Sequence, residues 1–377
     1  AGSVPVLMPV PRLPEPTGDH PVGTTSFYWV DEDRDEIYVE PDDGGNRRMM
    51  VQVWYPAEVE ANAETAPYLA GLTLAGETIA RKLGGAPFLF SHLDLVHTNS
   101  YLDIPLSAVQ SSYPVLVFSH GWTGYRAQNT YQMEELASHG YIVFAPDHTY
   151  GALVTVFPDQ DVILTNFNAL PSGVSDEEYN RAARILGETW AGDIHFVLDQ
   201  ITLLNSGGIN SQFTGHLDME LVGILGHSTG GGAAVETCWS DERCQAGLAM
   251  DAWLEPYARE MNAEGLKIPF MFMESETWNQ KEDDENPQLF DLLFKTSQAD
   301  VYLLDIAGTR HYDFADIPLL TPLASMIGFK GPIDGRRVLQ INNAYSLAFF
   351  DLYLKNKSDV LLTGASDEYP EVTFIKK

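Results

Sequence analysis

Five residues, Gly226-His227-Ser228-Thr229-Gly230, constrain this chain more than any other stretch, because of what flanks them. The apolar run Leu221-Val222-Gly223-Ile224-Leu225 precedes them, and Gly231-Gly232-Ala233-Ala234-Val235-Glu236 follows with the small residues of a helix start. A strand that turns through G-x-S-x-G into a helix makes a corner with no room for bulky neighbours, and holds the serine with its Oγ above the sheet. Glycine and serine are common in turns, so the pentapeptide alone carries little weight. Its flanks predict a nucleophilic Ser228.

Around this corner the chain reads as alternating strands and helices. Apolar or alternating runs at 26–30, 49–55, 115–119, 141–146, 221–225, 246–250, 269–273 and 301–306 each predict a strand. Most of the later runs lack alternation, as expected of parallel strands covered on both faces. Helical patterns fall at 128–139, 177–205 and 336–353; the second carries Leu186, Trp190, Val197, Ile201 and Leu204 as one apolar stripe. The order predicts an α/β fold, a mostly parallel doubly wound sheet of about eight strands flanked by helices, in a single domain over 1–377. Residues 1–25, rich in proline and glycine, read as an extended N-terminal arm. Two stretches, 68–93 and 317–329, are more apolar than surface connections need; they read as core packing or as a rim around the active-site mouth.

Charge excludes whole classes of function. With 22 Lys+Arg against 53 Asp+Glu, the net charge of −31 is wrong for nucleic acid and repels anionic membranes. No apolar run reaches the roughly 18–20 residues a membrane helix needs. Glu282-Asp283-Asp284-Glu285 reads as a solvated loop, and no stretch has an EF-hand pattern. The two cysteines, Cys238 and Cys244, have no partners at zinc spacing, so no metal is expected. They are either two free buried thiols or, in an exported protein, a disulfide. The chain opens on Ala1 without a charged-then-apolar leader. A processed secreted or periplasmic protein is the expectation, a trimmed one the alternative.

A serine needs a base, and the base needs an orienting group. In a sheet of this kind the base follows the last strand, where Gly308-Thr309-Arg310-His311 stands after 301–306. His311 is the expected base. His227 abuts the serine, His120 and His148 end earlier strands, and the remaining histidines precede the corner. The acid is open between Asp251, which ends the strand 246–250, and Glu274 or Glu276 after 269–273. Asp316 is too close to His311 in sequence, and a buried Asp193 on its helix stripe would cap or pair. A carbonyl oxygen gaining charge needs N–H donors, for which Thr229 and Trp122 of His120-Gly121-Trp122-Thr123-Gly124 are placed.

Val117-Phe118-Ser119-His120-Gly121, Leu136-Ala137-Ser138-His139-Gly140-Tyr141-Ile142-Val143, the segment 226–231 and Ala249-Met250-Asp251-Ala252-Trp253 resemble the plasma-type platelet-activating-factor acetylhydrolases and their bacterial relatives. The resemblance covers about 113–354 and, more weakly, 21–56. It implies an α/β-hydrolase fold and a Ser-His-Asp esterase on short-acyl esters, phospholipid-like ones included. It favours Asp251 as the acid. It matches His311, Phe314 and Asp316 to the family's histidine pattern, and Trp122 and Thr229 to its oxyanion donors, although the plasma member carries an aliphatic residue where Trp122 stands. The implied partner is a small-molecule or lipid ester, with no cofactor. The rivals are a cutinase-like hydrolase of aromatic polyesters, a peptidase, and a non-catalytic binding protein on the same fold.

Overall fold

The unalternating runs of the middle of the chain pair with one another in parallel, as strands covered on both faces should. The computed structural model describes residues 11–39, 44–59, 62–71, 74–76, 78, 93–280, 284–320, 324–326 and 328–377. In chain order the main-sheet strands are β1 (Val22–Asp35), β2 (Asn46–Pro56), β3 (Ser100–Leu102), β4 (Tyr113–Ser119) and β5 (Ile142–Pro146). A small hairpin of β6 (Val154–Val156) and β7 (Val162–Leu164) stands apart. The main sheet then continues with β8 (Leu217–His227), β9 (Cys244–Met250), β10 (Phe270–Ser275), β11 (Val301–Ile306) and β12 (Val372–Lys376). The spatial order is β12-β11-β10-β9-β8-β4-β5-β2-β1-β3. From β11 to β5 all neighbours are parallel, while β12, β2 and β1 are each antiparallel to the strand on their inner side. This is the α/β-hydrolase fold.

The sheet has ten strands where the runs predicted about eight. The two additions, β3 and β12, lie at its edges and are three and five residues long. β1 also starts at Val22, inside the stretch read as an arm.

Helices cover both faces. The chief ones are α1 (Thr130–Ser138), α2 (Asp176–Ser206), α3 (Thr229–Ser240), α4 (Glu285–Thr296) and α5 (Gly335–Lys355). Leu186, Trp190, Val197 and Ile201 of α2 pack with Val115, Val117 and Ile224 on one face. Met133 and Leu136 of α1 and Phe349 and Phe350 of α5 pack with Leu116, Phe118 and Leu225 on the other. Consecutive strand residues point to opposite faces, which is why residues 115–118 of β4 and 221–225 of β8, covered on both sides, carry no polar side chain. Local signals set the length of α2. Ser175 Oγ accepts from Glu178 N–H at 3.2 Å, acids fill the first turn, and Gly207 ends the helix at φ 81°.

Asp193 lies on the buried stripe of α2 and is paired there. Arg47 donates to both of its oxygens at 2.6 and 2.7 Å, and Arg34 adds a bond at 2.9 Å. Arg47 holds the Asp193 carboxyl far below the usual carboxylate range, against the opposing effect of burial. Cys238, in α3, is bridged to Cys244, the first residue of β9, with Cα atoms 5.1 Å apart. Among the described residues no helix is long and apolar enough to cross a membrane.

Candidate active site

Between the end of β8 at His227 and the start of α3 at Thr229, Ser228 takes φ 57° and ψ −121°. An L-residue reaches that conformation only when its surroundings compel it. Ser228 N–H donates to Met250 O at 2.8 Å, and its carbonyl accepts from Gly232 N–H at 3.1 Å and Trp253 N–H at 3.0 Å. A Cβ at Gly226 would stand 2.1 Å from Gly230 O, and one at Gly230 2.2 Å from Ser119 O. Both glycines are therefore required by close backbone approach.

The side chains of Asp251 and His311 meet beside this corner. Asp251 follows β9 at φ 46° and is fully buried. His311 Nδ1–H donates to Asp251 Oδ2 at 2.9 Å, and Ser275 donates to the two carboxylate oxygens through N–H and Oγ–H, each at 2.7 Å. Trp278 stacks on the His311 ring, centroids 4.6 Å apart. The imidazole of His227 lies 4.5 Å away, and its Nε2–H donates to His311 O at 2.9 Å. Gln128 Nε2–H donates to His227 Nδ1 at 3.1 Å, while Gln128 Oε1 accepts from Gly121 N–H at 3.2 Å. One amide and one imidazole thus tie together the turn after β4, the serine corner and the His311 turn. Burial, then the neighbouring His311, hold His227 well below the usual imidazole range, so it is neutral, as a ring with one acceptor nitrogen must be.

The competing acids are occupied elsewhere. Glu274 accepts from Asn279 Nδ2–H at 2.7 Å, and Glu276 from Gly308 N–H at 2.5 Å. Asp316 accepts from the N–H groups of Thr130 and Tyr131 at the start of α1, and from Tyr68 O–H at 2.8 Å. His227, Asp251 and His311 offer ligand-type atoms within 4.8 Å of one another. Both His227 nitrogens and both Asp251 oxygens are engaged in the hydrogen bonds above, which suits a hydrogen-bonded relay and not a metal's ligand set.

A second Ser-His-Asp constellation lies deeper. Ser119 Oγ and His148 Nε2 are 2.8 Å apart, and His148 Nδ1–H donates to Asp193 Oδ2 at 2.9 Å. All three residues have 0% exposure, so no ester reaches them.

Ser228, His311, Trp122 and Thr229 share the wall of one cavity of about 540 Å³. Gly121 lets the chain pass close to the serine: a Cβ there would be 3.2 Å from Ser228 Cβ. Among the described residues no protein acceptor pairs with the Trp122 N–H. Thr229 N–H belongs to the first turn of α3, whose leading donors have no partner within the helix. Trp122, Tyr125, Tyr179, Trp253, Trp278, Tyr312 and Phe329 supply aromatic wall, and no Asp, Glu, Lys or Arg is among the described lining residues. Another cavity, about 520 Å³ between the N-terminal segment and α5, is lined by Glu15, Glu135, Arg336, Asp351 and Lys357 among others, and no histidine is among its described lining residues.

The two apolar stretches divide. Leu93, Ile317 and Phe329 line the cavity at Ser228. Leu320, 8% exposed, packs with Leu13, Tyr68, Leu69 and Val154 in a small separate core. Leu72, Ile79, Leu83, Phe88, Leu89, Phe90, Leu323 and Ile327 lie outside the described residues, as do Glu282 and Asp283 of 282–285, whereas Asp284 and Glu285 stand at the start of α4. Sequence reasoning passed over Gln128, His227, Ser275 and Trp278. The one signal for His227 was its place beside Ser228 at the end of an apolar run, and Gln128, in the polar stretch Arg126-Ala127-Gln128-Asn129-Thr130, carried none.

A family model described as platelet-activating factor acetylhydrolase, isoform II, matches residues 8–166 and 174–366. A platelet-activating factor acetylhydrolase of Cavia porcellus is 28% identical over 337 residues, 82% of this chain and 73% of that protein. The Bos taurus protein of the same name is 24% identical over 92% of this chain and 78% of its own. Among solved structures, a ferulic acid esterase from Streptomyces cinnamoneus superposes with a TM-score of 0.78 at 26% identity, covering 97% of this chain and 99% of that one.

Proposed function

The chain belongs to the platelet-activating factor acetylhydrolase, isoform II, family and is a carboxylic-ester hydrolase, and on that premise we propose that Ser228, His311 and Asp251 are its catalytic triad. Ser228 Oγ attacks the ester carbonyl and its proton passes to His311 Nε2. Asp251 holds the imidazole by Nδ1–H and stabilises its charged form. The N–H groups of Trp122 and Thr229 receive the oxyanion. As the tetrahedral intermediate collapses, the alcohol leaves with the proton from His311. Water then repeats the sequence on the acyl-Ser228, giving up a proton to His311 and releasing the acid with free Ser228.

The observation that carries this reading is the 2.9 Å Asp251–His311 bond at the cavity whose wall also presents Ser228 on its strained corner. A non-catalytic binding protein would have no use for that strain. Ser228→Ala tests it: kcat falls by roughly 10⁴–10⁶-fold while circular dichroism and thermal unfolding stay those of the parent. Near-parental turnover in the variant would remove the serine from the mechanism.

The substrates are short-acyl esters of the kind the relatives' name indicates. A second reading, esters of aromatic acids and aromatic polyesters, draws support from the seven Trp, Tyr and Phe side chains of the wall and from the ferulic acid esterase's likeness. The same wall offers a phosphate no described cationic side chain. Comparing kcat/KM for acetyl, feruloyl and phospholipid esters separates the two. The bridged cysteines support export to an oxidising compartment.

A further inference from the structure

We infer that His120 is a positioning residue that aims the Trp122 N–H into the cavity, acting through the Gly121–Trp122 peptide. The inference rests on the oxyanion role proposed above for Trp122.

The hydrogen bonds around His120 admit one arrangement of protons. Its Nε2 faces the backbone N–H of His148 at 3.1 Å. An N–H can only donate, so Nε2 is the bare, accepting nitrogen. In the neutral ring Nδ1 then carries the hydrogen, and it lies 2.8 Å from Gly121 O. Gly124 N–H donates to the same carbonyl at 2.8 Å. In a trans peptide the C=O of one residue and the N–H of the next point in opposite directions. Two donors that draw Gly121 O into the protein therefore turn the Trp122 N–H the other way, towards the space lined by Trp122 and Ser228. Gln128 holds the preceding Gly121 N–H, so the peptides on both sides of Gly121 are fixed.

The buried Ser119-His148-Asp193 set finds its use here. His148 is clamped by Ser119 Oγ, by Asp193 and by the Trp190 ring stacked 4.1 Å away. Its backbone N–H is thus a fixed donor, and that donor selects the His120 tautomer. Burial, then His148 beside it, keep His120 well below the usual imidazole range, so the ring stays neutral while the enzyme works.

Asparagine places its amide where Nδ1 of histidine stands, and glutamine reaches Nε2. His120→Phe, His120→Asn and His120→Gln would be compared for kcat, KM, thermal unfolding and inhibition by a trifluoromethyl ketone, which forms an oxyanion on the serine. His120→Phe and His120→Gln are expected to lose roughly 10²-fold in kcat, as loss of one oxyanion donor does, with KM within about threefold. The ketone's affinity falls in proportion to kcat. His120→Asn recovers at least tenfold of the loss. Equal activity in Asn and Gln, or a loss confined to KM, overturns the inference. Should the phenylalanine variant fail to fold, the Asn–Gln comparison decides alone. Fluorophosphonate labelling of Ser228 in the parent runs alongside. A parent not labelled at Ser228 refutes the triad itself, whereas a labelled parent with unaffected variants refutes only the role of His120.

Discussion

At the level of single side chains, the Asp251 carboxylate accepts from His311 and twice from Ser275, and it does so with no exposure to water. Asp251→Asn would present an amide N–H or a lone oxygen to His311, favouring the wrong tautomer. Turnover of a small ester is expected to fall roughly 10⁴-fold, while Glu274→Gln and Glu276→Gln stay within about tenfold of the parent. A glutamate variant more damaging than Asp251→Asn would move the acid to β10. Glu274 has a different signature. Burial, then the charge of Asp251, push its carboxyl up to about 8. A raised carboxyl binds its proton more tightly folded than unfolded, so the stability it lends is full below the ordinary range near 4.5 and is lost as pH rises through 8. Glu274→Gln should therefore match the parent's melting temperature most closely at pH 5 and gain on it by a few degrees towards pH 8.5. Parallel melting curves across that range would mean Glu274 ionises normally. Chain order after the last strand pointed to His311, whereas it left Asp251 open against Glu274 and Glu276, and only the family resemblance favoured Asp251. Gln128 and His227 were not legible, because their role is made by a hydrogen-bond chain between segments 99 positions apart.

Among the elements, the central strands and long helices were readable from periodicity alone, since strands buried on both faces are apolar without interruption. The edges were not. β3 is three residues long, and β12 is five with only Val372 buried, so neither has the unbroken buried run of the central strands. The segment 317–329 was read as one unit, core or rim, and the fold splits it by side chain. Leu320 is 8% exposed in a small core, whereas Phe329 is 39% exposed and borders the cavity against Tyr312. Leu320→Ser is expected to cost about 2–4 kcal/mol of stability and leave substrate preference alone. Phe329→Ser should leave stability nearly intact and lower kcat/KM for aromatic or long-chain esters more than for acetate esters. Denaturant unfolding and a two-ester assay on both variants check this; equal losses for every ester in Phe329→Ser would make that residue packing too.

On the scale of the whole molecule, a chain of charge −31 encloses an aromatic cavity in which no described side chain carries a formal carboxylate, ammonium or guanidinium. The acidity keeps the surface solvated and away from polyanions, and the chemistry proposed for the cavity is left to Ser228, His311 and the buried Asp251. The same molecule holds two Ser-His-Asp sets, one at Ser228 on the cavity wall and one at Ser119 in the core. Both pair the histidine with a buried aspartate at 2.9 Å; the strained corner under Ser228 and its access to the cavity set the two apart. The direct measurement is a fluorophosphonate added to the native protein, followed by intact mass and peptide mapping. One adduct per chain is expected, on Ser228, formed in step with loss of esterase activity, and none on Ser119. Inactivation with Ser228 unmodified, or an adduct on another serine, would contradict the assignment of Ser228.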